Sequence, residues 1–418
     1  MKFKYIRVAI FILIATALSI CLITYAINIE YKQIEYREIP EQIKEETPKI
    51  YIEGELTMKD KTEIGKFKVK YKSKNISIDK YATLKIQGSS SVWYPKKNYT
   101  IKFFNDEDCT DKFKVDFGWG RENKYVLKAN WSDKTHSRNI VTAHLAAQVQ
   151  DKYNLFQNTP NNGLIDGYPV EVYLNNEFHG LYTLNIPKDD WLYGMDKDNP
   201  NHIIMVGEKY SQATVFKELS LDGWNNQLDD NSPAVQQKML RLINFVMNST
   251  DQEFKEDFEE YLNLDATLNY YVICHTLNIA DNTAKNLIFV TYDGKIWYPT
   301  LYDLDTTFGS FYNGLELYPT DYPLHMSHNK LFERLSILFK KEIEQRYQEL
   351  RQTVLSEENI INEIDKFYSQ IDPSLFEKEQ QKWGELPGYE ISQLKEYIHA
   401  RLPYVDKIMN YKTNKVNA

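Results

Sequence analysis

The stretch from residue 279 to 309 constrains this 418-residue chain more than any other. It opens with Asp281 and Asn286, spaced as D-x-x-x-x-N. The apolar run 287–290, the pair Asp293-Gly294 and a second run, 296–301, come next. Two short apolar runs around Asp-Gly read as a hairpin with a type I′ turn. Tyr302-Asp303-Leu304-Asp305-Thr306-Thr307-Phe308-Gly309 closes the stretch. Each residue alone is weak: Asp281 is an ordinary cap or turn acid, and Asp303 and Asp305 are ordinary loop acids. The combination is specific, because a hairpin holds an acid and an amide on one side against two acids on the other.

Phosphoryl transfer needs that order. The protein must align a hydroxyl with a phosphoryl group and hold the cations that neutralise a polyphosphate. One carboxylate takes the proton, and an amide oxygen with a further carboxylate holds a hard divalent metal. Asp281 fits the first role and Asn286 the second. Asp303 or Asp305 fits the third, with Asp303 preferred because it follows a strand directly.

Upstream, residues 49–206 alternate apolar and polar positions as half-buried strands do. The segment 83–104 reads as strand, turn and strand, with Gly88-Ser89-Ser90-Ser91 at the turn and Lys102 on the second strand. Small residues at a turn let backbone N–H groups approach phosphate. A lysine on the next strand is where a kinase-type site keeps its phosphate-gripping cation. Lys96 and Lys97 read as surface charges. Asp133 or Ser137 caps a helix beginning at Arg138, whose apolar positions 141, 145, 146 and 149 share one face. A cation in a first helical turn opposes the macrodipole, so Arg138 is expected to meet a phosphate or carboxylate. Beyond residue 207 the pattern is mostly helical. His275 reads as a core histidine.

Composition narrows the classes. The net charge is −9 and no strongly basic block stands out, which argues against a nucleic-acid binder. Three cysteines in unlike contexts give neither a disulfide framework nor zinc spacing. The 31 tyrosines suit a β-rich lobe or a surface that contacts carbohydrate or extended peptide. Lys2, Lys4 and Arg7 precede an uncharged apolar run, 8–27, long enough to span a bilayer. An uncleaved anchor is preferred over a cleaved signal. The basic flank places the body outside the cytoplasm, and the polar residues 29–48 read as a tether.

In its motifs and their order the chain resembles the CotH (spore coat protein H) family of atypical kinases, across roughly residues 50–410. The matching stretches are Leu84-Lys-Ile-Gln-Gly-Ser-Ser-Ser, Pro95-Lys-Lys-Asn-Tyr-Thr-Ile-Lys-Phe, Val126-Leu-Lys-Ala-Asn-Trp-Ser-Asp with Arg138-Asn139, the hairpin from Val170 to Tyr182, Asp281-x4-Asn286 and the 302–309 segment. The resemblance implies an α+β, two-lobed protein-kinase-like fold. Its β-rich N-lobe spans 49–206 and its mostly helical C-lobe 207–412, preceded by a transmembrane anchor (1–28) and the tether (29–48). It implies transfer of the γ-phosphate of ATP, with Mg²⁺ or Mn²⁺, to hydroxyls of a Ser-rich protein substrate of surface or spore-coat type. Asp281 is then the catalytic acid, Asn286, Asp303 and Asp305 the metal ligands, and Lys102, Gly88, Ser89, Ser90 and Arg138 the nucleotide contacts. Three features depart from the kinase template. The turn is not G-x-G-x-x-G, the helix after Arg138 carries no Glu to pair with Lys102, and Asn185 stands where the family hairpin commonly ends in Glu. A non-catalytic membrane-anchored scaffold of the same fold is the alternative.

Overall fold

The computed structural model describes residues 46–228 and 231–413. All described residues fall in one compact unit. The expected anchor (1–28) and nearly all of the tether (29–48) lie outside the described residues. Among the described residues no helix is long and apolar enough to cross a membrane.

The first half is built from strands β1 (Lys49–Glu53), β2 (Gly65–Lys72), β3 (Ser77–Gln87) and β4 (Asn98–Phe104). A two-stranded ribbon follows, β5 (Val115–Asp116) and β6 (Arg121–Glu122). Then come β7 (Lys124–Lys128), β8 (Gly167–Leu174) and β9 (Glu177–Asn185). Seven of these close into a barrel in the order β1-β2-β3-β4-β7-β9-β8. Closure comes from parallel pairing of β1 with β8, Ile50 opposite Val172. The expected two-lobed arrangement is therefore corrected: the β-rich half is a closed barrel.

Alternation explains the barrel wall. On β2, Phe67, Val69 and Tyr71 are buried while Lys66, Lys68 and Lys72 are exposed. On β4, Tyr99, Ile101 and Phe103 are buried and Lys102 is exposed. Aromatic rings fill the interior. Phe117 packs within 4.7 Å of Tyr71 and 4.9 Å of Tyr125, and Trp119 stacks on Tyr168 at 5.3 Å. The hydroxyls of Tyr71 and Tyr168 meet at 3.1 Å, so these polar tips are satisfied inside. Part of the tyrosine excess is thus core material.

The second half carries a four-stranded sheet, β11-β10-β12-β13, from Ile203–Gly207 (β10), Trp224–Asn226 (β11), Ile288–Thr291 (β12) and Tyr298–Thr300 (β13). Nine helices complete the described residues: α1 (Arg138–Lys152), α2 (Pro233–Asn248), α3 (Asp251–Glu256), α4 (Leu264–Leu277), α5 (Lys330–Leu338), α6 (Lys340–Arg351), α7 (Glu357–Tyr368), α8 (Ser374–Trp383) and α9 (Ile391–Ile408). Helix α4 is buried from Ala266 to Leu277. His275 lies within it, its pKa pushed down to about 3 by burial and by Arg401.

Two buried ionic hubs tie the halves together. Lys96 is not a surface charge: its side chain is fully buried. Its ammonium donates to Ala129 O at 2.9 Å and to Leu181 O, and pairs with Glu379 of α8 at 2.5 Å. Lys97 caps its own turn, donating to Val92 O and Tyr94 O.

The second hub is His144 on α1. It meets Asp166 at 2.7 Å and Glu363 of α7 at 3.4 Å. Burial alone would lower its pKa, but the two carboxylates outweigh burial and raise it to about 9. A histidine raised in the folded state stabilises fully below its unfolded pKa of about 6.5, and that contribution fades as pH rises through the folded value. Wild type should therefore lose stability relative to His144→Gln by on the order of 3 kcal/mol between pH 6 and 10. Urea unfolding of both proteins across that range checks it. A constant difference rules it out.

Candidate active site

The site is assembled where α4 ends. Asn278, with φ 52°, turns the chain out of the helix. The short turn Ala280–Thr283 then presents Asp281. That turn is pinned from three sides. Tyr270 OH donates to Asn282 O at 2.5 Å, Asn282 Nδ2 to Tyr302 O at 2.8 Å, and Asn329 Nδ2 to Thr283 O at 3.0 Å. Asn286, at φ 61°, is fixed by its N–H on Gly207 O, 2.8 Å. The Asp281 side chain remains 36% exposed, within reach of an incoming group.

Strands β12 and β13 form the expected hairpin, Ile288 opposite Thr300. Its turn is not type I′, which requires positive φ at both central residues. Only Gly294 of the Asp-Gly pair has positive φ, 72°. Instead the Asp293 carboxylate accepts from the N–H groups of Lys295 and Ile296 at 2.8 and 2.9 Å. The side chain makes the turn.

After β13 the chain reaches Asp303 in a left-handed conformation, φ 57°. Few residues other than Gly and Asn or Asp adopt it, and such outliers gather at functional sites. Helix α1 holds this loop. Asn139 Oδ1 accepts from Leu304 N at 3.1 Å, Arg138 donates to Thr307 O at 2.7 Å, and Thr142 meets Thr307 at 3.0 Å. Asp133 caps the helix by accepting from Arg138 N at 3.0 Å.

Asp281, Asn286, Asp303 and Asp305 face one cavity of about 420 Å³. Gly88, Ser89 and Ser91 of the β3–β4 turn form part of its wall. Gly88 has φ 117°, and a Cβ there would meet Ser91 Oγ at 1.9 Å, so this turn needs glycine. Ser90 opens the short helical turn Ser90–Trp93 beside it. Thus six residues of the expected site (Gly88, Ser89, Asp281, Asn286, Asp303 and Asp305) come from three separate segments to one cavity.

Lys102 does not join them. It is exposed on β4 opposite Lys124, and it does not line the cavity. Asn98, at the other end of the same strand and on the same face, does line it. Four residues of strand separate the two positions, roughly 13 Å. Four lysines line the cavity, Lys61, Lys128, Lys188 and Lys285. Lys128, at the cavity end of β7, lies 2.6 Å from Asp303 Oδ1 and 4.0 Å from Asp305 Oδ2. Lys188 sits 4.5 Å over the Tyr302 ring, and Lys285 is 3.9 Å from Asp281.

Arg138 also departs from its expected place. It is fully buried, 3.4 Å from Asp133, and it bonds Gln393 and the Thr307 carbonyl. Its carboxylate partner is internal, and its role is to hold the acidic loop.

Electrostatics divides the three acids. Burial raises Asp281, and nearby Asp303 adds to this against Lys285. Burial also works on Asp303, but Lys128 outweighs it and holds the carboxyl below its usual range. Asp305 is pushed up to about 7, first by burial and then by the Asp303 charge. Lys128 is held above the usual lysine range because Asp303 and Asp305 overcome its burial, whereas burial lowers Lys188. Neighbouring carboxylates whose pKa values are driven apart are a mark of functional sites.

The donor set fits a hard divalent cation. Asp303 and Asp305 already converge on one cation, the Lys128 ammonium, so the two carboxylates are placed to share a positive charge. No group of three or more His, Cys, Asp or Glu side chains among the described residues could hold a metal alone. Two carboxylates and an amide suit Mg²⁺, which takes its remaining oxygens from water and phosphate. A second cavity, about 320 Å³ and lined by His136, Phe376 and Glu379, has none of these side chains.

Lys128 and Lys188 escaped the sequence reading for different reasons. Lys128 stood inside a quoted motif, but strand register, which local alternation does not reveal, decides which lysine reaches the acids. Lys188 follows Pro187 after β9 with no pattern to mark it. The family model described as CotH kinase protein matches residues 84–405. No curated protein matches the chain.

Proposed function

The chain belongs to the CotH kinase family, and on that basis we propose that it transfers the γ-phosphate of ATP to Ser or Thr hydroxyls of a protein substrate. The observation that carries this is the convergence of Asp281, Asn286, Asp303 and Asp305 with four lysines on one cavity. Asp281 takes the role of base. Its raised pKa and partial exposure suit a group that orients a hydroxyl and accepts its proton. Asn286, Asp303 and Asp305 are the residues that would hold Mg²⁺ or Mn²⁺. When bound, that ion neutralises charge on the phosphates. Lys188 is the phosphate contact, since among the described residues it forms no ion pair and sits over the Tyr302 ring. Backbone of the Gly88-Ser89 turn offers N–H groups to the same anion.

The test is transfer of labelled γ-phosphate by the purified protein, first with Mg²⁺ and then with Mn²⁺, to itself or to a Ser-rich polypeptide. ATP and metal together should also raise the melting temperature. Nucleotide at a hundred times its Kd stabilises by about 2.7 kcal/mol. Lys188→Met should lose most of that rise. Absence of both transfer and the melting shift in wild type retires the kinase reading.

A further inference from the structure

We propose that Lys128 is a resident counter-ion for the Asp303–Asp305 pair, which gives way to the metal ion only when nucleotide phosphates are present to receive its ammonium. The inference rests on the nucleotide-dependent reading above and adds an order of binding to it.

Two buried lysines in this protein make the contrast. The Lys96 ammonium has three oxygen partners, Ala129 O, Leu181 O and Glu379 Oε1, and stays where it is. Among the described residues Lys128 donates one hydrogen bond, to Asp303 Oδ1 at 2.6 Å, with Asp305 Oδ2 at 4.0 Å. Its side chain is 14% exposed and lines the cavity rather than the core. An ammonium has three hydrogens to donate. Lys128 is thus tethered at one point on a flexible four-carbon stem, beside open space that phosphate oxygens would occupy.

Charge makes the exchange necessary. Two adjacent half-buried carboxylates, 30% and 26% exposed, favour a cation between them, and removing it leaves their charges facing each other. Lys128 supplies that cation in the resting protein. A divalent ion held by Asp303 and Asp305 would lie within a few ångströms of the ammonium and be repelled by it. Lys188 prevents retreat toward Tyr302, because its own charge already repels Lys128. Anionic phosphate in the cavity would give the Lys128 ammonium a new counter-charge. Metal and nucleotide binding are then coupled through one side chain, and the coupling is reciprocal.

The experiment measures Mn²⁺ binding to the full-length protein at pH 8, with and without a non-hydrolysable ATP analogue, for wild type, Lys128→Met and Lys128→Arg. An adjacent opposite charge commonly shifts a carboxylate by one to three pKa units, so a like charge beside a metal is worth at least about tenfold in affinity. Lys128→Met should therefore bind Mn²⁺ alone at least about tenfold tighter than wild type. Its Mn²⁺ affinity should gain less from the analogue. Lys128→Arg, which keeps the charge, should bind Mn²⁺ alone as weakly as wild type, and it guards against a folding effect of the Met variant. Equal or weaker binding of Mn²⁺ alone by Lys128→Met overturns the inference. Failure of the kinase reading would show separately, as no effect of the analogue on the wild-type melting temperature.

Discussion

Asp281→Asn should lower the rate of phosphate transfer by roughly 10²–10⁴-fold, the range that a positioned general base contributes. The protein should stay folded. Asp281 is partly exposed, and among the described residues its one ion-pair contact is Lys285 at 3.9 Å. The substitution keeps the shape and removes the basic oxygen. Nucleotide with metal should still raise the melting temperature, because the metal ligands and Lys188 are untouched. Asp303→Ala separates the roles. It should abolish transfer and also the nucleotide-dependent melting shift. Initial rates and thermal unfolding on the two variants read both effects. Full activity in Asp281→Asn would remove Asp281 from the mechanism.

Lys96→Met should destabilise the fold by about 3–5 kcal/mol, the cost of breaking a buried ion pair from one side. The ammonium connects the β3–β4 loop to Ala129 after β7, to Leu181 on β9 and to Glu379 on α8. Glu379 also meets His136 at 3.0 Å and accepts from Leu181 N at 3.3 Å, so loss of Lys96 leaves a buried carboxylate with a histidine and one backbone N–H. Space is tight as well, since a Cβ at Gly180 would lie 2.9 Å from Lys96 Cε. Urea unfolding measures the loss. A change under about 1 kcal/mol, the scale of a surface pair, would mean that Lys96 is as dispensable as a solvated lysine. The double substitution Lys96→Met, Glu379→Met should recover part of the loss, because both buried charges leave together.

What was legible in the chain follows the range of the interactions. The D-x-x-x-x-N spacing, the hairpin and the acid pair lie within about thirty residues of each other, as hairpins and short turns do, and they meet in one cavity as expected. The Gly88-Ser89 turn reached the same cavity because glycine and small residues mark such a turn locally. Lys102 was misplaced for a long-range reason. Alternation put it on the correct face of β4, but the position of that face relative to Asp303 depends on how β4, β7 and β9 pair. Barrel closure was illegible for the same cause, since β1 and β8 are more than a hundred residues apart and pair in parallel. Lys96 was misread because a charged residue is exposed by default, whereas Arg138 met one of its two expected partners, the carboxylate of Asp133, away from the cavity. Nothing local in the sequence announces that Asp133 or Glu379 will be buried beside them. The missing helix Glu has an equivalent of another kind: α1 steadies the acidic loop through Asn139 and Arg138.

The seam that closes the barrel has a mechanical meaning. Strand β1 is the first element of the described chain, and it is hydrogen-bonded on both sides, antiparallel to β2 and parallel to β8. A pull on the chain ahead of residue 46, directed along the strand, would strain both ladders at once and in parallel with the load. Bonds loaded together share the force, whereas an edge strand peeled sideways loses its bonds one after another. The place where a traction applied upstream would enter the fold is thus reinforced against being stripped away.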